Sequence, residues 1–278
     1  LRLISYMMST SPPFTLLESP HWTDYALLDS GDGLKLERFG KFVFVRPESQ
    51  AMWKRSLEVE WKQAHAIFQP SGEESGGHWD FKKKVDEKWE MRYILDPTLT
   101  PSPSLGSASQ SPTERGGFLR FWVMTTPGRH LGVFPEVAAH WDWLSGLVHH
   151  RVHAPAPGAA SGGEHREATV LNLFGYTGLA SLAAAAAGAR VTHVDASKKS
   201  VSWARENQVL SDLTDKPIRW IVDDALKFMQ REARRGVKYD GIILGPPKFG
   251  RGPKGEGWEV YKSLPDLLSA CRECLSAN

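Results

Sequence analysis

Short apolar runs and helical patterns alternate along the second half of the chain. Residues 170–174 form an apolar run typical of a strand buried in a parallel sheet. Residues 179–187 are nearly all Ala and Leu, which favour a helix, and Gly188 stands where a helix C-cap is expected. Residues 190–195 form a second strand that ends in Asp195. This order of strand, glycine turn, helix and strand predicts a βαβ unit.

The same alternation continues toward the C-terminus. Ser197 can cap a helix that runs to about residue 210, residues 218–222 predict a third strand, and residues 239–244 predict a fourth. The fourth strand leads into the loop Gly245-Pro-Pro-Lys-Phe-Gly-Arg-Gly252. Ligands of such sheets bind outside the carboxyl ends of the strands, so we expect the segments after the strands to meet in one crevice.

The first half of the chain has a different pattern, with shorter strands. Residues 34–39 alternate strictly between apolar and polar side chains, and residues 41–45 and 118–124 predict further strands. We therefore expect a smaller strand-rich α+β domain over residues 25–150, preceded by a tail at residues 1–24.

Two stretches rich in Pro, Gly, Ser and Ala separate these patterns. Residues 97–117 predict a disordered insert, and residues 151–165 predict a linker to a C-terminal domain at residues 166–278. Tryptophans concentrate before this linker. We expect most of them to be core, although aromatic rings can also stack on unpaired bases; they include Trp53, Trp61, Trp79, Trp89, Trp122, Trp141 and Trp143.

Composition narrows the class of protein only slightly. The 278 residues carry a net charge of +2, which does not by itself indicate a nucleic-acid partner. The basic runs at residues 82–84 and 231–235 are typical of solvated faces, whereas Arg251 and Lys254 flank the loop after the fourth strand, where a phosphate can be met.

Cysteine usage and hydropathy indicate an intracellular protein. Cys271 and Cys274 predict buried helix thiols rather than a disulfide framework or a zinc site. No apolar run approaches ~18 residues, so we expect no membrane span. The cytoplasm and the mitochondrion both remain open, because residues 1–11 contain one Arg and no acidic residue.

The glycine turn after the first strand predicts a nucleoside site. Gly175 and Gly178 let the backbone approach a ligand, and Asp195, about 20 residues further on, is placed to accept hydrogen bonds from ribose hydroxyls. The turn has one glycine fewer than a dinucleotide fingerprint and contains the bulky Tyr176, which leaves little room for a pyrophosphate. S-adenosylmethionine therefore fits better than a nicotinamide dinucleotide, which remains the weaker alternative.

Two neighbouring carboxylates follow the third strand. An acidic side chain there can accept the exocyclic amine of adenine, while the next backbone amide serves ring N1. We favour Asp224, directly before Ala225, for this role and expect Asp223 to cap the following helix.

Several of these motifs resemble those of class I S-adenosylmethionine-dependent methyltransferases. More narrowly, they resemble bacterial large-subunit ribosomal RNA methyltransferases whose fourth strand ends in Asp-Pro-Pro-Lys-Phe. The resemblance lies in five segments: Asn172-Leu-Phe-Gly-Tyr-Thr-Gly178, Val194-Asp-Ala-Ser197, Ala204-Arg-Glu-Asn207, Asp223-Asp-Ala225 and Pro246-Pro-Lys-Phe249. It implies a Rossmann-like α/β domain, S-adenosylmethionine as cofactor and an RNA base as substrate.

The motifs and the resemblance together imply two sets of site residues. The segment 128–136 matches the part of such enzymes that leads into the methionine side of the pocket. The expected cofactor residues are Asn172, Phe174, Gly175, Tyr176, Thr177, Gly178, Asp195, Ala196, Asp223, Asp224, Ala225, Phe134 and Glu136. The expected catalytic loop consists of Pro246, Pro247, Lys248 and Phe249, and no metal is expected.

The chain departs from the family pattern in two places. Gly245 stands where the family has Asp, which removes a carboxylate that would help to hold a nucleophilic amine. The sequence ends soon after an apolar helical stripe at residues 264–275, where the family sheet continues, so we expect a C-terminally truncated domain with strands 1–4 and an uncovered edge on the fourth.

The resulting hypothesis is an S-adenosylmethionine-dependent methyltransferase that acts on RNA, with a ribosomal RNA base as the expected target. The alternative is a catalytically impaired pseudoenzyme that binds the cofactor or RNA. Methylation of cytosine C5 is disfavoured, because it needs a cysteine nucleophile and neither Cys271 nor Cys274 follows a strand. The sequence carries no indication of an oligomeric state.

Overall fold

A computed structural model describes residues 16–19, 21–72, 76–95, 117–153 and 167–276. The predicted insert at 97–117 lies outside the described residues apart from Gly117, and so does the predicted linker beyond His153.

The N-terminal half contains a five-stranded sheet. Its strands are β1 (Tyr25–Gly31), β2 (Leu34–Phe39), β3 (Phe42–Pro47), β4 (Ala66–Pro70) and β5 (Gly77–Phe81), in that spatial order, with the short helix α1 (Glu58–Lys62) between β3 and β4. The β3–β4 pair is parallel and the other pairs are antiparallel. Gly40, in the two-residue connection from β2 to β3, has a φ of +62°, which a tight hairpin turn requires.

A two-stranded ribbon and a long helix join this sheet to the rest of the chain. Strands β6 (Trp89–Ile94) and β7 (Phe118–Val123) pair antiparallel. A single 3₁₀ turn at Pro135–Val137 then leads into helix α2 (Ala138–His153).

The C-terminal half is the predicted α/β unit. Its elements are β8 (Ala168–Leu173), α3 (Leu179–Ala186), β9 (Ala189–Asp195), α4 (Lys198–Leu210), β10 (Ile218–Val222), α5 (Ala225–Arg234) and β11 (Gly241–Leu244). The strands lie in the order β10-β9-β8-β11 and all pairs are parallel. The order of connection reverses between β8 and β11, and open α/β sheets bind ligands outside the strand ends at such a point.

The chain ends with a hairpin and a helix that cover β11. Strands β12 (Phe249–Arg251) and β13 (Gly257–Glu259) pair antiparallel, and helix α6 (Val260–Cys274) follows. Among the described strands β11 pairs with β8 alone, as the predicted open edge implies, and only the start of the predicted fourth strand, at Tyr239, is bridged on the outer side. Leu275 forms a parallel bridge with Tyr239, and the Ser276 amide donates to the Tyr239 carbonyl at 2.9 Å.

One core joins the two halves of the molecule. Phe121 of β7 and Trp141 of α2 belong to the same buried cluster as Leu179 and Leu182 of α3. Among the predicted core tryptophans, Trp61, Trp89 and Trp141 are buried, but Trp53 is 57% exposed and Trp143 is 39% exposed.

Two of the predicted boundaries are corrected by this core. Trp22 belongs to the predicted tail, yet its ring is buried and its Nε1 donates to the Arg92 carbonyl at 2.8 Å. Residues 151–153, predicted as linker, continue helix α2. The helix extends because Arg151 Nη2 donates to Asp240 Oδ1 at 2.7 Å, which ties its last turn to the start of β11.

Trp141→Ala is expected to lower the free energy of unfolding by about 3–5 kcal/mol, because it opens a cavity in the shared core. Trp143→Ala, on the same helix but 39% exposed, is the matched control and is expected to cost far less. Urea unfolding followed by circular dichroism measures both. Equal losses for the two variants would contradict a core centred on Trp141.

Candidate functional site

The turn between β8 and α3 has an unusual backbone. Phe174 has a φ of +57°, Tyr176 of +51° and Gly178 of +87°. A left-handed conformation costs a non-glycine residue of order 1 kcal/mol or more, and such strain persists where the surroundings hold it. Gly175 is needed for a different reason, since a Cβ there would clash with the imidazole of His193.

Asp195 holds this turn against the start of the next helix. Its Oδ2 accepts the Tyr176 amide at 2.9 Å and its Oδ1 accepts the Ser197 amide at 2.8 Å. Burial raises the pKa of Asp195, and the two backbone amides offset only part of that effect. A carboxylate offers about four lone-pair positions, so acceptor capacity remains for a ligand beyond these two bonds.

The helix cap after β10 is formed by the second of the two neighbouring carboxylates, not by the first as predicted. Asp224, not Asp223, is the N-cap of α5, and its Oδ1 accepts the Lys227 amide at 2.9 Å. Asp223 instead forms an ion pair with Arg231. The prediction that Asp223 caps the helix is therefore wrong, because the capping position directly precedes the first helical residue, Ala225.

Two cavities lie at the switch point of the sheet and share a wall. The larger, of about 940 Å³, lies between the start of α2, the glycine turn and the loop after β11. The smaller, of about 290 Å³, lies between the ends of β9 and β10 and the β12–β13 hairpin. The shared wall consists of Phe134, Phe174, Tyr176, Gly245 and Pro247.

The structure brings almost all of the predicted site residues to these cavities. The larger cavity, which we call the acceptor cavity, is lined by Phe134, Glu136, Asn172, Phe174, Gly175, Tyr176, Thr177, Pro246, Pro247, Lys248 and Phe249. The smaller, which we call the nucleoside cavity, is lined by Phe134, Phe174, Tyr176, Asp195, Ala196, Asp223, Asp224, Ala225 and Pro247. Gly178 lines neither cavity; it is the N-cap of α3.

Residues of the N-terminal half hydrogen-bond to the glycine turn and to the side chain that holds it. Thr177 Oγ1 donates to the Gly132 carbonyl at 2.6 Å. Asn207 is fully buried; its Nδ2 donates to the Thr177 carbonyl at 2.9 Å and its Oδ1 accepts the Trp122 amide at 2.9 Å. The turn is thus fixed by groups from both halves of the chain.

A buried ion pair supports the segment that lines the acceptor cavity. Arg46 binds the Glu37 carboxylate with two nitrogens, each at 2.7 Å, and its Nη1 donates to the Arg129 carbonyl at 3.2 Å. Tyr25 also donates to Glu37. The pKa of Tyr25 is raised, mainly by burial and secondly by the negative charge of Glu37. The N-terminal sheet thereby positions residues of the acceptor cavity.

Several lining residues were not predicted from the sequence. Trp258, in the nucleoside cavity, is 5% exposed and its ring centroid lies 4.8 Å from that of Phe174. His130 lines the acceptor cavity. Its pKa is lowered to about 4, mainly by burial and secondly by the positive charge of Arg46. The sequence signal for His130 was its place within the segment 128–136, whereas nothing distinguished Trp258 from other tryptophans.

A buried polar chain lies beneath the turn. Asn172 Nδ2 lies 2.9 Å from Ser181 Oγ, which lies 2.9 Å from His193 Nδ1. His193 Nε2 has no hydrogen-bond partner, and burial lowers the pKa of His193 to about 3. His193 is therefore neutral near pH 7.

The loop after β11 is held by the hairpin that follows it. Trp258 Nε1 donates to the Pro247 carbonyl at 2.7 Å, and the Val260 amide donates to the Lys248 carbonyl at 2.9 Å. Lys227 donates to Glu256 at 2.8 Å, and this bond lowers the pKa of Glu256 to about 2. Of the two basic residues expected to flank the loop, Arg251 lines the nucleoside cavity.

Other expected features were also located. Cys271 and Cys274 are buried free thiols, as predicted, and burial raises the pKa of Cys271 to about 11. Within the described ranges, no group of three or more His, Cys, Asp or Glu is arranged to hold a metal ion. Across the same ranges, no helix combines the length and apolar character needed to cross a membrane.

Comparison with known proteins identifies the class. No protein-family model matches the chain. The structure of an S-adenosylmethionine-dependent methyltransferase from Agrobacterium tumefaciens is 45% identical, covers 95% of this chain and 73% of that one, and superposes with a TM-score of 0.77. The SMU.776 methyltransferase, solved in complex with S-adenosylhomocysteine, shares the fold at 21% identity, 92% and 60% coverage, and a TM-score of 0.61.

Curated relatives match mainly one segment. The ribosomal RNA large subunit methyltransferase K/L of Shewanella sp. strain ANA-3 is 38% identical over 112 residues, which is 39% of this chain. The protein of the same name from Shewanella frigidimarina is 34% identical over 134 residues, or 48% of this chain. The match spans only 16% and 18% of the length of these two relatives.

The parallel α/β sheet is consistent with a class I methyltransferase fold, and the relative from Agrobacterium tumefaciens establishes the family. The chain belongs to the family of S-adenosylmethionine-dependent methyltransferases, with S-adenosylmethionine as its cofactor. The predicted cofactor is thereby confirmed over the nicotinamide alternative.

Asp195→Ala is expected to weaken binding of S-adenosylhomocysteine at least about tenfold, because hydrogen bonds to a charged group contribute about 1.5–3 kcal/mol each. The variant also frees the strained Tyr176 amide. Isothermal titration measures the affinity, with Asp215→Ala as a control because that carboxylate is 70% exposed. Equal affinities for Asp195→Ala and the wild type would contradict this assignment.

The neutral state of His193 predicts that acid destabilises the fold. The pKa of His193 is depressed in the folded protein, so its contribution is complete above pH 6.5 and is lost as the pH falls toward about 3, by about 1.4 kcal/mol per pH unit. Urea unfolding at pH 7, 6 and 5 measures the slope. His193→Asn is expected to reduce it, whereas His78→Asn, at an exposed position, is expected to leave it unchanged. An unaltered slope in His193→Asn would rule out this origin.

Proposed function

We propose that the chain transfers the methyl group of S-adenosylmethionine to a base in RNA, with ribosomal RNA as the expected substrate. One observation carries the proposal: the loop at residues 245–249 forms part of both the acceptor cavity and the wall that this cavity shares with the nucleoside cavity. A nucleophile bound beside this loop meets a cofactor whose adenosine occupies the smaller cavity. The Shewanella relatives, which are named for ribosomal RNA, support the choice of substrate.

The residues at the nucleoside cavity fit an adenosine group. Asp195 retains acceptor capacity for ribose hydroxyls, and the Oδ2 of Asp224, which the helix cap does not use, is available to the exocyclic amine. Trp258 and Phe174 offer apolar ring faces for adenine. A dinucleotide would need a turn that admits a pyrophosphate, and Tyr176 occupies this one.

The methionine end of the cofactor is assigned to the acceptor side of the shared wall. Asn172, Gly175 and Thr177 line that side from the turn, and Phe134 and Glu136 line it from the segment before α2. The cofactor, when bound, supplies an activated sulfonium methyl, so the protein mainly has to align the acceptor and exclude water.

The acceptor cavity suits a flat aromatic substrate. Phe134, Trp143 and Phe249 present rings to it, and Phe249 is 48% exposed, which leaves its ring available for stacking. Arg129 and Lys248 place positive charge at the same cavity, where a phosphate backbone would be attracted. A base must leave its stack to reach this depth.

The loop itself supplies rigid backbone acceptors. Pro246 and Pro247 restrict its conformation, and the carbonyl of Gly245 remains available to an amine. The added Cβ of a residue at position 245 would meet no atom within 4 Å. The family carboxylate is thus absent here without any steric cause.

Transfer of labelled methyl groups from S-adenosylmethionine to total RNA tests the proposal. The wild-type chain is expected to label RNA, and Asp195→Ala is expected to lose at least about 90% of the rate at subsaturating cofactor, in line with its weaker binding. Digestion and mass spectrometry of nucleosides then identify the methylated base. Gly245→Asp is the informative partner variant, because it restores the carboxylate of the family pattern at a position where an added Cβ meets no atom within 4 Å.

The outcomes separate the two hypotheses for this chain. Labelling by the wild type supports an active enzyme. No labelling by the wild type, combined with labelling by Gly245→Asp, would establish an impaired enzyme instead. Labelling of a protein extract but not of RNA would overturn the choice of substrate.

A further inference from the structure

Trp258 lines the nucleoside cavity, and the adenine-facing role proposed for its ring does not account for its indole N–H, which is bonded to the loop after β11. It is the central residue of the short strand β13 and is 5% exposed, although the strand belongs to a hairpin at the surface. Its ring lines the nucleoside cavity and packs against Phe174, with 4.8 Å between the ring centroids.

The other side of the same residue holds the acceptor loop. Trp258 Nε1 donates to the carbonyl oxygen of Pro247 at 2.7 Å. Pro247 lines both cavities, and it directly follows the Gly245–Pro246 step that presents backbone carbonyls to the acceptor. A proline has no amide hydrogen, so Pro247 cannot be anchored through its own nitrogen and depends on bonds to its carbonyl.

The remaining anchors of the loop do not reach the nucleoside cavity. The Val260 amide donates to the Lys248 carbonyl at 2.9 Å, and Lys227 pairs with Glu256 at the tip of the hairpin. Neither Val260 nor Lys227 lines the smaller cavity. Within the described part of the chain, Trp258 is the side chain that combines a wall of the nucleoside cavity with a hydrogen bond to the acceptor loop.

We propose that Trp258 is a positioning residue that couples occupancy of the nucleoside cavity to the geometry of the acceptor loop. An adenosine group in the cavity fills the space beside the indole and restricts its rotation. The restricted indole keeps its N–H directed at the Pro247 carbonyl, which fixes the loop that the acceptor must meet. The coupling rests on the proposed function only in identifying residues 245–249 as the loop that receives the substrate.

Trp258→Phe separates the ring from the hydrogen bond. The variant keeps an aromatic ring against Phe174 and loses the indole N–H. Trp22→Phe is the matched control, because Trp22 is 7% exposed and its Nε1 donates to a backbone carbonyl at 2.8 Å, yet it lines neither cavity. Both variants lose the same kind of bond at similar burial.

The experiment measures the affinity for S-adenosylhomocysteine and the hydrogen exchange of the amides of residues 248–252, with and without that ligand. In the wild type and in Trp22→Phe, the ligand is expected to slow exchange in this segment. In Trp258→Phe, the affinity is expected to stay within about threefold of the wild type, while the ligand-induced protection of residues 248–252 is lost. Where RNA methylation is observed, kcat is expected to fall at least about tenfold with little change in the cofactor KM.

Each contrary result has a defined meaning. Retained ligand-induced protection in Trp258→Phe overturns the coupling. A large loss of affinity with protection recovered at saturating ligand assigns Trp258 to the cofactor site alone and also overturns it. The exchange measurement needs no RNA, so a wild-type chain that protects the loop but labels no RNA contradicts the substrate proposal and leaves the coupling supported.

Discussion

The strained turn between β8 and α3 is the constraint on which the rest of the site depends. Phe174 and Tyr176 have left-handed backbone conformations that side chains disfavour. The turn persists because Asp195 accepts the Tyr176 amide, Thr177 donates to Gly132, and Asn207 donates to the Thr177 carbonyl. These bonds place Phe174 and Tyr176 in the wall that the two cavities share.

The need to hold this turn explains why the two halves of the chain share one core. Asn207 links the turn to β7, and Arg46 links the N-terminal sheet to the segment before α2. Arg46 and Glu37 are buried, and such a pair is costly to desolvate unless its geometry is good. The two short bonds from Arg46 to Glu37 meet that condition. The third bond of Arg46, to the Arg129 carbonyl, holds a residue that lines the acceptor cavity. The N-terminal sheet therefore helps to hold the residues that line the acceptor cavity.

The chemistry follows from which groups face each cavity. The nucleoside cavity is lined by three carboxylates, aromatic rings and Arg251, and the acceptor cavity is lined by aromatic rings, Arg129, Lys248 and Glu136. The loop of residues 245–249 lines the acceptor cavity, and its residues Gly245 and Pro247 also line the nucleoside cavity. Position 245 of this loop is a glycine, and a Cβ added there would meet no atom within 4 Å. The loop is held by the hairpin of β12 and β13 and the start of α6, through the bonds from Trp258 and Val260 to the Pro247 and Lys248 carbonyls.

Local patterns in the sequence were enough to predict the α/β unit and most of the residues that line the two cavities. A strand, a glycine turn, a helix and an acid lie within about 30 residues of each other, so their spacing constrains their geometry before any long-range contact forms. The same reasoning failed at Asp223 and Asp224, because a shift of one residue in where the helix begins decides which carboxylate becomes the N-cap. It also assigned Trp22 to a tail, because nothing local shows that a single ring fills a distant core.

Only the tertiary structure decided how the site is completed. The sequence by itself determined the order of strands along the chain, the glycine turn and the carboxylate of Asp195 after the second strand, since each depends on neighbouring residues. The positions of Trp258, His130 and Arg46 depend on packing between segments far apart in sequence, and a hydrophobic pattern records that such residues are buried without recording against what. The shared wall between the cavities exists because the fold brings those separate segments to one edge of a parallel sheet.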